Sequence, residues 1–278
     1  LKDWDIQINY GLKTGFNEAF VIDTQTRNRL IKEDPNSEII IKPLLRGEDI
    51  KAYVPEWAGL WLIGTFPSLS LNINNFPAIK RYLTAFKERI TPKPKDYNEK
   101  LGKWKGRKSG SYEWFETQDS LSYYNDFLKP KIIYPNMTKF LPFVYDKHQF
   151  FTNDKSFILT GAHLVYLTAF LNSSIFKFAY KDDFPELLGE TRELRKVFFE
   201  NITIKPTTNE AWFQEKVDEM IALKANKADT IFLEKEIDEK IYDLYELTDS
   251  ERSFIVKNVA AATFSEDSIS AISSSVSE

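Results

Sequence analysis

The sequence predicts an α+β fold: a mixed, mostly-β portion with inserted helices, followed by a C-terminal α-helical bundle or spacer. Three observations predict it. The first 160 residues contain short β-branched and aromatic runs separated by turn residues. From Leu164 onward the apolar side chains recur at helical spacing instead. The charge also changes sign between the halves: residues 1–150 carry 23 Lys and Arg against 18 Asp and Glu, net +5, whereas residues 151–278 carry 14 against 23, net −9.

Taken in order, the strand candidates are Ala19–Asp23, Glu38–Lys42, Leu60–Gly64, Lys131–Tyr134 and Ser156–Leu159. One helix interrupts them, from Pro77 to Ile90. Proline suits the first helical position, and Ile79, Leu83, Phe86 and Ile90 repeat at helical spacing. Residues 91–110 are punctuated by glycine and proline and have no periodic apolar face, which predicts a long loop. Leu164, Leu167, Leu171, Ile175 and Phe178 then share a helical face, with Asn172-Ser173-Ser174 as a polar interruption. Thr207 and Glu210 form a capping-box pattern before a helix that buries Phe213, Val217, Met220 and Ile221. A further helix from Asp229 offers Leu233, Ile237, Ile241, Leu244 and Tyr245, and Thr248 with Glu251 repeats the box before a last helix carrying Phe254, Ile255 and Val259. The expected organisation is a first domain over 1–205, a helical spacer or docking region over 206–262, and a serine-rich disordered tail over 263–278.

Composition excludes several classes. With 42% hydrophobic and 28% charged residues the chain is built for an ordinary packed core. It has no cysteine and only two histidines, His148 and His163, which removes disulfides, thiolate catalysis and the usual structural zinc sites. No stretch approaches the roughly 18 consecutive apolar residues of a membrane span. The first methionine is Met137 and the N-terminus has no apolar signal core, so the expectation is a segment of a longer protein. Catalytic patterns are missing as well. There is no adenosylmethionine-binding glycine turn and no Asn/Asp-Pro-Pro-aromatic loop; the nearest strings are Tyr134-Pro-Asn136 and Phe184-Pro-Glu186. Gly106-Arg107-Lys108-Ser109 has the wrong glycine spacing for a phosphate loop. Asp238-Glu239-Lys240 matches half of a nuclease pattern and lies on a predicted helix. Glu113 and Glu116 beside Trp114 and Phe115 resemble the paired acids of glycoside chemistry, but closeness in sequence does not make that geometry.

The overall charge of −4 and pI near 5.5 conceal a concentrated basic stretch. Lys80 to Lys108 holds eleven basic and three acidic residues. Lys80, Arg81, Lys87 and Arg89 fall on the predicted helix; Lys103, Lys105, Arg107 and Lys108 surround Trp104 in the loop. Clustered Lys and Arg attract phosphates, and a planar side chain among them can stack on or wedge against a base. Base readout needs bidentate donors at groove edges, which makes Arg107, Arg46, Asn72, Asn74 and Asn136 the candidates. Arg46 is equally placed to pair with Glu48 or Asp49, and asparagines commonly make turns. Six tryptophans, thirteen tyrosines and the acidic pI support two rival readings, a carbohydrate-binding module and a protein-docking fragment without DNA binding of its own.

Scaffold segments spread over about 250 residues carry a resemblance: Gly11–Asp23 (GLKTGFNEAFVID), Pro43–Lys51 (PLLRGEDIK), Phe76–Lys80 (FPAIK), Lys129–Pro135 (KPKIIYP), Leu171–Ser174 (LNSS), Val217–Lys224 (VDEMIALK) and Glu236–Thr248 (EIDEKIYDLYELT). In these the chain resembles the C-terminal target recognition domain of fused type IIG restriction-modification enzymes and related adenine-specific DNA methyltransferases, itself similar to the specificity subunits of type I systems. The resemblance implies sequence-specific binding of double-stranded DNA in the cytoplasm, and a methyltransferase domain of the same polypeptide as the second partner. It implies no cofactor in this segment; S-adenosylmethionine, and Mg where the parent also cleaves DNA, would belong to upstream domains. The acidic helical half suits docking to protein and would be repelled by DNA.

Overall fold

A computed structural model of the chain describes residues 1–98, 100, 102–188 and 191–259. The expected tail over 263–278 lies outside the described residues. The strands, in chain order, are β1 (Ile6–Tyr10), β2 (Val21–Asp23), β3 (Ile41–Leu45), β4 (Leu60–Ile63), β5 (Lys131–Pro135), β6 (Met137–Thr138), β7 (Val144–Asp146), β8 (Phe151–Thr152), β9 (Ser156–Gly161) and β10 (Arg192–Glu193). The longer helices are α1 (Thr24–Glu33), α2 (Pro77–Thr84), α3 (Leu164–Asn172), α4 (Ser174–Tyr180), α5 (Glu210–Ala225), α6 (Ile231–Leu244) and α7 (249–259). The α+β expectation holds.

Two predicted strands begin later than the apolar runs suggest, because Asn17–Phe20 and Ser37–Ile40 each form a helical turn just before the strand. The second turn is set by Asp34, whose carboxylate accepts from the Asn36 N–H and the Ser37 hydroxyl. Helix α1 was not foreseen. Its Asp23 carboxylate accepts from the Thr26 N–H, an ordinary N-cap, but only Leu30 is buried along it, so the helical period is faint. The helix expected over 77–90 is α2 followed by a break and a separate turn, Lys87–Ile90. The Thr207–Glu210 box does not form: Thr207 accepts from the Asn209 N–H, and Glu210 turns to His163. The Thr248–Glu251 box does form, with the Thr248 N–H donating to Glu251 Oε2 at 2.8 Å.

An antiparallel sheet of order β1-β9-β5-β7 divides the interior. Successive side chains of a strand face opposite ways, and both inner strands are apolar in both registers. Ile132, Tyr134, Phe157 and Leu159 therefore join a core with α3, α5 and α6, built on Phe170, Phe213, Val217, Ile237 and Ile241. Ile133 and Ile158 face the other way, into a core shared with the second sheet, β2-β4-β3-β8, and with α2. The basic helix and loop thus ride on one side of a common wall and the acidic helices on the other. Residues on both sides of position 205 share the first of these cores: the Tyr166 and Phe213 rings meet tilted at 59°, with centroids 4.9 Å apart.

The Gly11–Asp23 segment owes its glycines to close packing. A Cβ on Gly11 would lie 1.8 Å from the Asn153 carbonyl oxygen, where backbone rather than a flexible side chain stands in the way. Gly15 has φ +82°, a conformation that L side chains rarely adopt. Gly11→Ala is expected to cost about 2 kcal/mol by forcing strand and turn apart, measurable as a fall in thermal midpoint.

Candidate nucleic-acid interface

The described residues of 91–117 have no strand or apolar stripe to fold around, and one side chain makes most of the contacts that hold them. Arg107 is 4% exposed. Its Nε donates to the Ile90 carbonyl at 2.6 Å, Nη1 to those of Thr14 and Glu116 at 3.0 and 2.7 Å, and Nη2 to those of Glu113 and Trp114 at 3.3 and 3.1 Å. A guanidinium has five N–H groups, so every donor is spent on backbone. The Tyr112 ring covers it at 4.5 Å, and burial lowers its pKa to about 10. Its own backbone pairs with the start of the loop, Arg107 N–H to Thr91 and Lys93 N–H to Arg107. The expectation that Arg107 meets DNA is therefore corrected: it is the loop's internal clamp, with no donor left for a base or phosphate.

Trp104 is the second anchor. Its indole N–H donates to the Thr91 carbonyl at 3.2 Å and its ring meets Tyr97 edge to face at 5.0 Å. With the backbone pinned, Lys103 and Lys108 project into solvent and, with Lys93 and Trp104, line a cleft of about 520 Å³. Lys105 pairs with Glu88 at 3.1 Å, which joins the loop to the turn after α2. On the helical side Lys80 donates to Asn74 Oδ1 at 2.8 Å and Arg81 pairs with Glu33 at 2.6 Å. Lys87 lies over Trp114 at 5.1 Å and Arg89 over Phe16 at 4.9 Å. These cations are exposed at their tips, and the Lys105–Glu88 pair holds the loop against the Lys87–Ile90 turn that carries Lys87 and Arg89.

The other readout candidates are occupied by local structure. Arg46 forks onto Asp49 through Nε (3.2 Å) and Nη2 (2.8 Å) and also pairs with Glu48, the pairing that its neighbours in sequence allowed. Asn72 Oδ1 accepts from the Asn74 N–H at 3.0 Å, a turn, and Asn74 holds Lys80. Asn136 links β5 to its neighbours through its backbone, and its Oδ1 is buried with no hydrogen-bond partner among the described residues.

A second basic surface escaped the sequence reading. Arg46, Lys51, Lys139, Lys155 and Lys177 line one cleft of about 930 Å³ between the 46–52 segment and the 135–142 segment. Each lysine is isolated in sequence, so no local run betrays them; only the tertiary fold, which sets helix α4 and the segments after β3, β6 and β8 side by side, gathers them. Met137 and Phe140 stand at its rim, 45% and 57% exposed. The aromatic content that motivated a carbohydrate reading is spent on packing. Trp4 stacks on Tyr166, Trp57 meets Trp61 and Phe150, Trp114 meets Phe115, and Trp212 meets Phe213. Glu116 is buried and accepts from the Glu113 N–H at 2.7 Å, a turn rather than an acid pair around a sugar. Among the described residues no helix is long and apolar enough to cross a membrane, and no three acidic or histidine side chains converge on a metal position.

Comparison with known proteins agrees with this architecture. A comparison with curated proteins returns no match. Among solved structures the fold is similar to part of MmeI, a type IIL restriction-modification enzyme solved in complex with DNA, at TM-score 0.57 and 11% identity over 92% of this chain and 35% of that one. It is also similar to part of the type IIG restriction endonuclease BpuSI, at TM-score 0.52 and 14% identity over 87% of this chain and 30% of that one. The chain spans about a third of the length of these enzymes. The model of the TaqI-like C-terminal specificity domain matches residues 42–204, which include β3, β5, the clamped basic loop and the lysine cleft, and the chain belongs to that family.

Proposed function

We propose that the chain binds double-stranded DNA sequence-specifically, as the target recognition part of a restriction-modification adenine-N6 DNA methyltransferase with or without an attached endonuclease. The observation that carries this is the basic surface of α2 and its clamped loop, lying inside the segment that the specificity family covers and standing out from a chain of net charge −4. Rigid presentation matters to such a role. Arg107 fixes the loop in advance, so the lysines meet phosphates without first ordering a long loop. The net-negative helices behind the central wall would dock on the methyltransferase domain rather than on DNA, since like charge repels them from the duplex. At the β9-to-α3 turn a Cβ on Gly161 would lie 2.0 Å from the Asp5 carbonyl oxygen, so that glycine serves packing and leaves no open cradle. S-adenosylmethionine belongs to the proposed partner domain, and the whole enzyme would act in the cytoplasm.

Salt dependence tests the reading. Each neutralised phosphate contributes about 0.9 to the slope of log affinity against log salt. Lys103→Gln/Lys108→Gln should lower the slope by about 1.8, shrinking the loss of affinity between roughly 50 and 200 mM salt by about twelvefold. Adding Lys105→Gln should change it less, because Glu88 already pairs with that lysine. Duplex binding that is absent, or insensitive to salt, would sink the proposal.

A further inference from the structure

We infer that the cleft between residues 46–52 and 135–142 is a second duplex-DNA contact, in which Lys139, Lys155 and Lys177 grip phosphates while Phe140 presses against a base step. This rests on the DNA-binding reading above and extends it to a surface separate from the basic loop.

The charge of the cleft is available. Arg46 is committed to Asp49 and Glu48, and Lys51 faces Glu56 at 3.8 Å. Lys139, Lys155 and Lys177 form no ion pair or side-chain hydrogen bond among the described residues, although Lys177 lies close enough to Asp238 to favour its ionised form. Three uncommitted ammonium groups on one concave surface repel one another unless an anion sits among them.

The walls are built before any ligand arrives. The Tyr53 N–H donates to the Phe143 carbonyl at 2.9 Å, tying the 46–52 wall to the end of the other. The Asn136 N–H donates to the Lys155 carbonyl at 2.8 Å, and Gly47 lies so near Lys155 that a Cβ would stand 3.1 Å from its carbonyl oxygen. Asn172 grips Phe143 through both the N–H and the carbonyl, at 3.1 and 2.9 Å.

Against this rigid background Phe140 is anomalous. Its neighbours Leu141 and Phe143 are 2% and 0% exposed, yet Phe140 is 57% exposed. Its outward position is fixed: its N–H donates to Thr138 Oγ1 at 3.0 Å, and Leu141 after it adopts the left-handed conformation at φ +49°. A large apolar ring held out of the core and beside lysines is the arrangement by which proteins wedge a base step from the minor groove while cations hold the backbone. The concave, cationic floor fits a convex ridge of phosphates, and the wedge commits the occupant to stacked, double-stranded DNA.

The experiment uses the full 278-residue chain and duplexes that it selects from a randomised pool. Lys139→Gln/Lys155→Gln/Lys177→Gln should lower the salt slope by about 2.7, shrinking the affinity loss between roughly 50 and 200 mM salt by about fortyfold. Phe140→Ala should leave that slope unchanged and reduce the bend of an end-labelled duplex measured by energy transfer. Unchanged slope in the triple variant, with Lys103→Gln/Lys108→Gln still lowering it, overturns the second contact and leaves the DNA-binding reading intact. Unchanged bending in Phe140→Ala overturns the wedge. Equal affinity for single strands, or triple-variant losses seen only on anionic phospholipid vesicles, overturns the choice of duplex as occupant. If the unaltered chain selects no duplex at all, the functional reading fails and this inference with it.

Discussion

Arg107→Met is expected to destabilise the protein by about 3–5 kcal/mol, whereas surface cations such as Lys103 should change stability by no more than about 0.5 kcal/mol on substitution. The difference lies in what each side chain touches. Removing the guanidinium takes a donor from five carbonyls: those of Ile90, Trp114 and Glu116 lose their partner, while those of Thr14 and Glu113 keep the Gln118 and Glu116 N–H groups. A buried acceptor stripped of its partner costs about 1–3 kcal/mol, and those nearer the surface recover part of that from water, so the total is well below five full penalties. Arg107→Lys should restore only a fraction, because an ammonium has three donors and lacks the planar fork that reaches carbonyls on three separate stretches of chain. Urea and thermal unfolding read the effect directly. The clamp also makes a second prediction: at temperatures where Arg107→Met remains folded, the loop that carries Lys103 and Lys108 loses its fixed form and DNA affinity falls. An unchanged melting temperature accompanied by lost DNA affinity would show instead that Arg107 touches DNA.

Arg107 also shows where sequence reading stops. The basic cluster was legible, because eleven cations within Lys80–Lys108 stand out on any count. Which of them face solvent was not. The groups that capture Arg107 are backbone carbonyls, which every residue carries, and they come from 14, 90 and 113–116, so no complementary side chain advertises the clamp. The lysine cleft was hidden for a related reason: its members are far apart along the chain and converge only in the tertiary fold. Arg46 was different. Its partners lie two and three residues on, and local spacing sufficed to foresee the pairing. Among the elements, β4, β5 and β9 were legible because their runs are short, bounded by turn residues and rich in β-branched and aromatic side chains. The turns Asn17–Phe20 and Ser37–Ile40 were not, since Ala19-Phe20 and Ile39-Ile40 continue the apolar character of the strands that follow. Helix α1 was missed for the opposite reason, an almost wholly polar surface with a single buried anchor.

Lys131→Met should cost about 3–5 kcal/mol, and its interpretation depends on a partner directly across the sheet. Lys131 of β5 pairs in register with Asp146 of β7, both side chains have no exposed surface, and Nζ lies 2.6 Å from Oδ2. Nζ also donates to the Phe127 carbonyl at 2.7 Å, while Asp146 accepts from the N–H groups of His148 and Phe150 at 2.7 and 2.9 Å. Burial pulls the lysine pKa down and Asp146 pulls it back up, with burial the larger influence. Breaking the pair from either side leaves a charge in the interior, but the two sides are unequal. Lys131→Met leaves Asp146 with two N–H donors, whereas Asp146→Leu leaves the ammonium with one carbonyl and orphans two backbone N–H groups, so Asp146→Leu should be the worse single change. The double variant should be less damaging than the sum of the two, because it leaves no uncompensated charge, and a double-mutant cycle by urea unfolding measures that coupling. Additive losses would mean that the two charges do not support each other. The cost extends to function. Asp146 sets the turn from β7 to Phe150, the next strand is β8, and β8 pairs with β3 where the chain enters the Arg46 wall of the lysine cleft. Loosening that turn shifts one wall of the cleft against the other. The single variants should therefore reduce the salt slope of DNA binding through a residue that touches no phosphate.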